Sequence, residues 1–187
     1  MSTSTKSGPS AVSLLREDAA TAVEHAVFSN LLGSVFLPRF VRRLLLRAGG
    51  AHVLSGPGHG FSVTGGAHNL TIGRGVFINK SVSIESVAPV TIGDGSALGM
   101  RVSIMTSHHD IDSAGRWDPV ASGRPVVIGE RVWIGGGSMI LPGAHIEDDV
   151  IVAAGAVVRG RLESHGVYAG VPARRIRDYT GEVDAQA

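Results

Sequence analysis

The chain has 187 residues, enough for one domain with one long core, and its formal net charge at pH 7 is only +1. So small a net charge gives no basis for capturing nucleic acid on a broad positive surface. The absence of cysteine excludes disulfides, a cysteine nucleophile and thiolate-bound metal, and it fits a cytoplasmic protein.

Residues 1–50 are predicted to form an N-terminal tail and a helical segment. Residues 1–11 lack the apolar core of a signal peptide, and we expect them to be disordered. Apolar residues recur at helical spacing over 12–31, and Pro38 can open a second helix from Arg39 to Ala48. That basic amphipathic helix either packs on the rest of the protein or makes a weak membrane-surface contact through residues 39–48. It is too short and too charged to span a bilayer.

Further along the chain, an aliphatic residue recurs at every sixth position. Neither an amphipathic helix nor an alternating strand has this period, which indicates a β-solenoid of stacked hexapeptides. We therefore predict a solenoid domain over residues 51–177, with the repeated aliphatic pointing inward, and a loose tail over 178–187. The repeat positions are Ile72, Ile78 and Ile84, then Ile92, Leu98 and Ile104, then Ile128, Ile134, Ile140, Ile146, Val152 and Val158.

The period is interrupted twice. Two additional residues separate Ile84 from Ile92, and together with Pro89 they predict a small bulge at one corner. Between Ile104 and Ile128 the inward pattern disappears, so a loop over residues 106–125 is expected to leave the coil. Long loops in compact domains are often functional, and this loop is the first candidate for chemistry.

Three segments of the chain resemble the hexapeptide acyltransferases, above all the maltose and galactoside O-acetyltransferases and the enzymes that acetylate cell-surface sugars. They are HNLTIGRGVFINKSVSIESVAPVTIGDGSALGMRVSIMTSHHD, RPVVIGERVWIGGGSMILPGAHI and YAGVPARRIR. The resemblance implies a mainly β fold, the left-handed parallel β-helix, assembled as a homotrimer with active sites between subunits. It also implies transfer of an acetyl group from acetyl-CoA to a hydroxyl of a sugar or similar small molecule, with no metal.

The same resemblance implies a histidine general base. An attacking hydroxyl must lose its proton, and a neutral imidazole suits that step at neutral pH. The family pattern T-x-x-H-x-x-D followed by Arg matches Thr106, His109, Asp112 and Arg116, which favours His109 over His108. Without this pattern, two histidines at a loop edge would be interpreted as polar surface.

Two further catalytic side chains follow from the resemblance. Glu85 lies one coil earlier, where related enzymes carry a carboxylate, usually Asp, that orients the base. Asn79 matches an asparagine that contacts the accepting hydroxyl, since an amide can both donate and accept. The alternatives are a solvated Glu85 at a corner and an internal Asn79 stacked between coils.

The cofactor wall is expected along the later coils. Gly136 matches the backbone donor for the developing oxyanion, although glycines here could also serve only close stacking, and Ala154 matches a residue of the pantetheine channel. The segment from Tyr168 to Pro172, with Arg174 and Arg177, matches the tail that closes over the nucleotide, where arginine suits phosphate.

Two parts of the cofactor prediction are open. Relatives often have Thr-Lys where this chain has Arg159 and Gly160, so Arg159 and Arg161 are either phosphate contacts or surface charge. The Trp133 ring either packs on pantetheine or fills a gap between subunits. The helical cap of the maltose and galactoside enzymes is not recognisable in residues 1–50, which leaves the acceptor undefined.

Three other functions compete with acetyl transfer to a hydroxyl. N-acylation of an amino sugar is chemically close, and a non-catalytic scaffold would lack a use for His109. A hexapeptide-repeat carbonic anhydrase would need three histidines around a metal. His108 and His109 are adjacent and would point to opposite faces of a strand, so they are poor joint ligands even with His145 nearby.

Overall fold

The structure, a computed structural model, describes residues 30–120 and 122–178. The predicted tail over 1–11, nearly all of the predicted helix over 12–31, and residues 179–187 of the predicted C-terminal tail lie outside the described residues. The second predicted helix is confirmed as α1 (Arg39–Ala48), which follows an extended Pro38 and ends at Gly49. Within the described ranges, no helix has the length and apolarity needed to cross a membrane.

From His52 onward, the described chain forms a three-sided solenoid with one mainly parallel sheet on each side, interrupted by one hairpin. The first sheet contains β1 (His52–Val53), β3 (Leu70–Ile72), β6 (Val90–Ile92), β11 (Val126–Ile128), β14 (His145–Ile146) and β17 (Arg161–Leu162). The second contains β4 (Phe77–Ile78), β7 (Ala97–Leu98), β12 (Trp133–Ile134), β15 (Ile151–Val152), β18 (Gly166–Ala169) and an antiparallel β19 (Arg174–Asp178). The third contains β2 (Ser62–Thr64), β5 (Ser83–Glu85), β8 (Ser103–Met105), β13 (Met139–Ile140) and β16 (Val157–Val158).

The six-residue period forms the core of this solenoid. Each of the aliphatic repeat positions is at most 2% exposed. The register stacks them directly, so that Ile92 pairs with Ile72 on one side and with Ile128 on the other. Because a strand alternates its side chains, the residue beside each aliphatic faces outward. The predicted fold of stacked hexapeptide coils is confirmed.

Both predicted interruptions occur at the corner between the third and first sheets. At the first, Ser86 is buried and its hydroxyl donates to the carbonyls of Thr64 (3.1 Å) and Gly66 (2.9 Å). At the second, the chain leaves the coil as a hairpin, in which β9 (Ser107–His108) pairs antiparallel with β10 (Ser122–Gly123). The predicted loop therefore has hydrogen-bonded structure of its own.

Truncating one repeat position should test the stacking. Ile128→Ala is expected to lower the free energy of unfolding by about 2–5 kcal/mol, because it leaves a cavity in a closely packed column. Val127 lies on the same strand and is only half-buried, so Val127→Ala should cost about 1 kcal/mol or less. Denaturant unfolding at matched protein concentration measures both losses. Equal losses would contradict the inward orientation of Ile128.

Candidate active site

A cavity of about 450 Å³ lies along the corner where the chain passes from the second sheet to the third. Successive coils each contribute one or two corner residues to its mainly apolar lining, and strands of the second sheet contribute the rest. Three predicted site residues, Asn79, Gly136 and Ala154, meet here, together with Trp133. The other lining residues are Gly99, Met100, Gly135, Ile151, Val152 and Ala153.

Glycine brings the backbones of neighbouring coils together at this corner. A Cβ atom on Gly99 would lie 2.5 Å from the backbone nitrogen of Gly136, closer than any real Cβ contact. The Gly136 carbonyl accepts from the N–H of Gly155, whereas the Gly136 N–H has no acceptor in the described part of the chain. The cavity lining therefore includes a half-buried residue whose backbone N–H makes no hydrogen bond within the described residues.

Asn79 is half-buried at the cavity wall and is not enclosed between coils. Its side-chain oxygen accepts the backbone N–H of Lys80 at 2.7 Å. This contact fixes the amide, so its nitrogen is left to donate to a ligand.

Asn79 also lines a second cavity, of about 350 Å³, beside the start of α1. Arg39, Arg42, His59 and Lys80 contribute its polar side chains. No pattern in the sequence indicated this cluster. Lys80 follows Asn79 directly in the sequence. The two arginines reach the cavity only because α1 docks onto the coil, and the hexapeptide repeat does not predict that contact.

His109 lies in the hairpin with its ring orientation fixed locally. Its Nδ1 is 2.8 Å from the backbone carbonyl oxygen of Asp118, and its ring meets that of Trp117 edge-on with centroids 5.5 Å apart. Since a carbonyl oxygen only accepts, Nδ1 carries the proton of the neutral ring and Nε2 keeps its lone pair. In contrast, Nε2 of His108 faces a carboxylate oxygen of Asp110 at 3.4 Å.

Glu85 does not contact His109, which differs from the predicted orienting role. Its carboxylate accepts the Ser107 hydroxyl at 2.7 and 2.8 Å and the Ser107 N–H at 3.2 Å. The register places Glu85 opposite Met105, so its side chain reaches the first residue of the hairpin, two residues short of His109. The carbonyl of Asp118 holds the ring instead.

The other residues of the matched histidine pattern stabilise the hairpin. Thr106 is buried, and its hydroxyl donates to the Glu85 carbonyl at 2.9 Å. Near the tip, Asp112 accepts the N–H groups of Ala114 and Arg116 and pairs with the Arg116 guanidinium. The backbone N–H of Arg116 is the main cause that lowers the pKa of Asp112. Of the four matched residues, Thr106, Asp112 and Arg116 therefore hold the hairpin in shape, and only His109 offers a side chain for proton transfer.

His109 and the 450 Å³ cavity belong to different corners of one chain. The hairpin leaves between the third and first sheets, whereas the cavity lies between the second and third. No described hairpin residue lines the cavity.

Pro172, Arg174 and Arg177 lie at the end of the second sheet, beyond the cavity lining, whereas Arg159 lies at the corner between the third and first sheets. Arg174 and Arg177 are exposed on β19, and β18 joins that strand to the cavity-lining β15. Pro172 precedes β19 after a cis peptide bond, and Arg159 is exposed at the corner after β16. The basic end and the cavity therefore share one face of the solenoid.

Arg161 is engaged in an ion pair, which favours its interpretation as structural charge. Its guanidinium donates to Glu147, whose other carboxylate oxygen accepts the Ser164 hydroxyl at 2.7 Å and N–H at 2.9 Å. The Ser164 hydroxyl, the Ser164 N–H and the Arg161 guanidinium, in that order, lower the pKa of Glu147 to about 2 from 4.5.

This shift predicts a pH-dependent contribution to stability. A carboxylate with a lowered folded-state pKa stabilises fully above its unfolded value and loses that effect as the pH falls through the folded value. The urea midpoint of the parent protein should therefore exceed that of Glu147→Gln above pH 4.5, and the difference should vanish towards pH 2. Ser164→Ala should reduce the same difference. A difference that persists undiminished at pH 2 would contradict the assignment.

Across residues 30–120 and 122–178, no three His, Asp or Glu side chains come together in a group that could hold a metal ion.

The chain is similar to known transferases in sequence and in structure. A family model described as bacterial transferase hexapeptide (six repeats) matches residues 125–160. Nodulation protein L of Rhizobium leguminosarum bv. viciae is 51% identical over 75 residues, which are 40% of this chain and 40% of that protein. The chain spans about half the length of the first curated relatives that it matches.

Two solved structures are similar over most of their length. A maltose O-acetyltransferase from Clostridium difficile 630 has a TM-score of 0.71 and 30% identity, with 89% of this chain and 88% of that chain covered. The hexapeptide-repeat acetyltransferase VCA0836 from Vibrio cholerae, solved with acetyl coenzyme A, has a TM-score of 0.71 and 28% identity, with 87% and 88% covered.

Proposed function

Because the chain belongs to the hexapeptide-repeat acetyltransferases, we propose that it transfers an acetyl group from acetyl-CoA to a hydroxyl of a sugar or similar small molecule. The observation that supports this most is the 450 Å³ cavity, where the open N–H of Gly136 and the amide of Asn79 share a mainly apolar wall with Trp133. An apolar channel with a few placed donors suits pantetheine and its thioester. A solved relative binds acetyl-CoA.

His109 acts as the general base in this proposal. Its Nε2 takes the proton of the acceptor hydroxyl as that oxygen attacks the thioester carbonyl. The N–H of Gly136 donates to the oxyanion that develops on the carbonyl oxygen. When the intermediate collapses, the carbon–sulfur bond breaks and the CoA thiolate leaves, taking the proton back from the imidazolium.

The base and the cavity meet only if a second copy of the chain supplies one of them. A full side of the solenoid separates the corner that bears the hairpin from the corner that bears the cavity. We therefore assign the active site to a cleft between protomers of a homotrimer, with His109 from one and Gly136 from the next. Closed cyclic symmetry then gives equivalent sites without an open edge.

The nucleotide of CoA is assigned to the β19 end of the second sheet. Pantetheine would pass Ala154 and Trp133, which lie on the same face as the exposed Arg174 and Arg177. Arginine side chains can bind the CoA phosphates there through paired N–H donors. Pro172 lies just before this strand. Arg159 is a further candidate for the same phosphates.

A thiol-release assay tests the proposal directly. Acetyl-CoA is offered with a panel of sugars and amino sugars, and free CoA thiol is followed while the products are separated. We expect release that depends on a hydroxyl acceptor and yields an O-acetyl ester. Products acetylated only on nitrogen would favour the amino-sugar alternative, and no acceptor-dependent release would overturn the proposal in favour of a non-catalytic scaffold.

A further inference from the structure

The second cavity, beside the start of α1, is positively charged, and the proposed mechanism of acetyl transfer gives that charge no role. Its volume is about 350 Å³, within the range of small-molecule sites. Three cationic side chains, from Arg39, Arg42 and Lys80, line it together with His59. None of its described lining residues is an Asp or Glu.

Arg42 is a buried charge that pairs with no carboxylate among the residues that the structure describes. It is 2% exposed, and within residues 30–120 and 122–178 its guanidinium donates only to backbone carbonyls: Ser34 at 2.6 Å, Leu32 at 2.7 Å and Pro57 at 3.3 Å. Burial, and secondarily the charge of Arg39, lower the pKa of Arg42. Carbonyl dipoles solvate this cation but do not neutralise it, so the positive field reaches the cavity.

Arg39 and Lys80 add charges that are available to a ligand. Nη1 of Arg39 donates to the carbonyls of Ile78 (3.0 Å) and Gly56 (3.3 Å), and its guanidinium lies 4.7 Å from the Phe77 ring centroid. These contacts hold the side chain in place and leave its remaining N–H groups open. The Lys80 ammonium is exposed and has no ion pair with any residue that the structure describes.

Asn79 lies between the positively charged cavity and the proposed site of acetyl transfer. Asn79 lines both cavities, so a molecule anchored among the cations reaches the amide that also faces the 450 Å³ cavity. Like charges placed together repel one another, and a bound anion relieves that repulsion.

We propose that the 350 Å³ cavity binds an anionic group of the acceptor, so that the natural acceptor is an acidic sugar or a sugar phosphate. This inference rests on the proposed acetyl transfer. A carboxylate or phosphate occupies the cavity among Arg39, Arg42 and Lys80, and a hydroxyl elsewhere on the same molecule lies at Asn79. Charge-assisted hydrogen bonds to the cations then fix which hydroxyl is acetylated.

Matched acceptors test the charge requirement. Glucose is compared with glucuronate and with glucose 6-phosphate, and galactose with galacturonate, by thiol release from acetyl-CoA. We expect kcat/KM for at least one acidic member to exceed that of its neutral partner by about tenfold or more. The two acidic arms distinguish a carboxylate from a phosphate as the preferred anion. Equal rates within every pair would overturn the inference and leave acetyl transfer itself standing.

A variant locates the effect in this cavity. Lys80→Gln should lower kcat/KM for the acidic acceptor by about tenfold more than kcat/KM for its neutral partner, without raising the KM for acetyl-CoA. Lys80→Arg should largely restore the preference for the acidic acceptor. Arg74→Gln is the matched control, because Arg74 is exposed on another corner and lines neither cavity. A rise confined to the acetyl-CoA KM would show instead that the cations bind CoA phosphates. Unchanged kinetics in Lys80→Gln would overturn the inference.

Direct binding separates the two proposals. Calorimetry with glucuronate and glucose 6-phosphate, without acetyl-CoA, should show affinity that falls in Lys80→Gln and with added salt. Anion binding without any acetyl transfer would overturn the proposed function, and with it the identity of the anion as an acceptor, while the anion site itself would stand. Acetyl transfer without anion binding would overturn this inference alone.

Discussion

Replacing His109 by alanine is expected to lower kcat for acetyl transfer by about two to four orders of magnitude while the solenoid stays folded. The variant removes the lone pair that takes the hydroxyl proton, and the exposed hairpin contributes nothing to the buried aliphatic columns. Thiol release under saturating acetyl-CoA measures the loss. Circular dichroism and the urea midpoint establish that the fold is retained.

His108→Ala is the matched control for this result. The two histidines are adjacent, but Nε2 of His108 faces Asp110, whereas Nδ1 of His109 is held by the Asp118 carbonyl. We expect the His108 variant to retain most of the activity. An equal loss in the two variants, or an unchanged rate in His109→Ala, would remove His109 from the mechanism.

A bulky side chain in the 450 Å³ cavity should also cause a large loss of activity. Ala154 is exposed in the cavity wall, so Ala154→Trp places a bulky ring there without disturbing the core. We expect kcat/KM for acetyl-CoA to fall by about a hundredfold or more, because the thioester can no longer reach the N–H of Gly136. An unaffected KM and kcat would show that the cofactor uses another surface.

The same two variants test whether the site is shared between protomers. If His109 and the channel come from neighbouring chains, a refolded equimolar mixture of His109→Ala and Ala154→Trp regains up to about one quarter of the parent activity, since one site in four combines two intact halves. His109→Ala mixed with the parent protein is the dilution control. A mixture that stays inactive despite verified exchange of chains would place both halves within one chain.

The solenoid could be predicted from sequence because its rule is local. Each buried aliphatic lies six residues from the next, so Ile128, Ile134 and Ile140 reveal the inward face without any knowledge of distant contacts. The hairpin could be located for the same reason, by the loss of that period. The corner glycines indicated the backbone approach that forms the wall of the channel.

Contacts between distant segments could not be predicted in this way. The register that brings Glu85 to Ser107, and not to His109, depends on how far two side chains reach from stacked strands. The cationic cavity depends on the docking of α1, where the Arg39 carbonyl packs against Gly56 so closely that a side chain there would collide. Neither the helix pattern nor the hexapeptide repeat contains that information.

The orientation of the His109 ring depends on contacts within the hairpin and not on the coils, and this has an evolutionary consequence. The ring, the carbonyl that holds it and the indole that packs on it lie between His109 and Asp118, within nine positions of one another. Substitutions deep in the coils can therefore alter how firmly the scaffold holds together while the protonation geometry is inherited intact. Descendants of such a chain can exchange their acceptors by remodelling other corners, without having to reinvent the proton-transfer step.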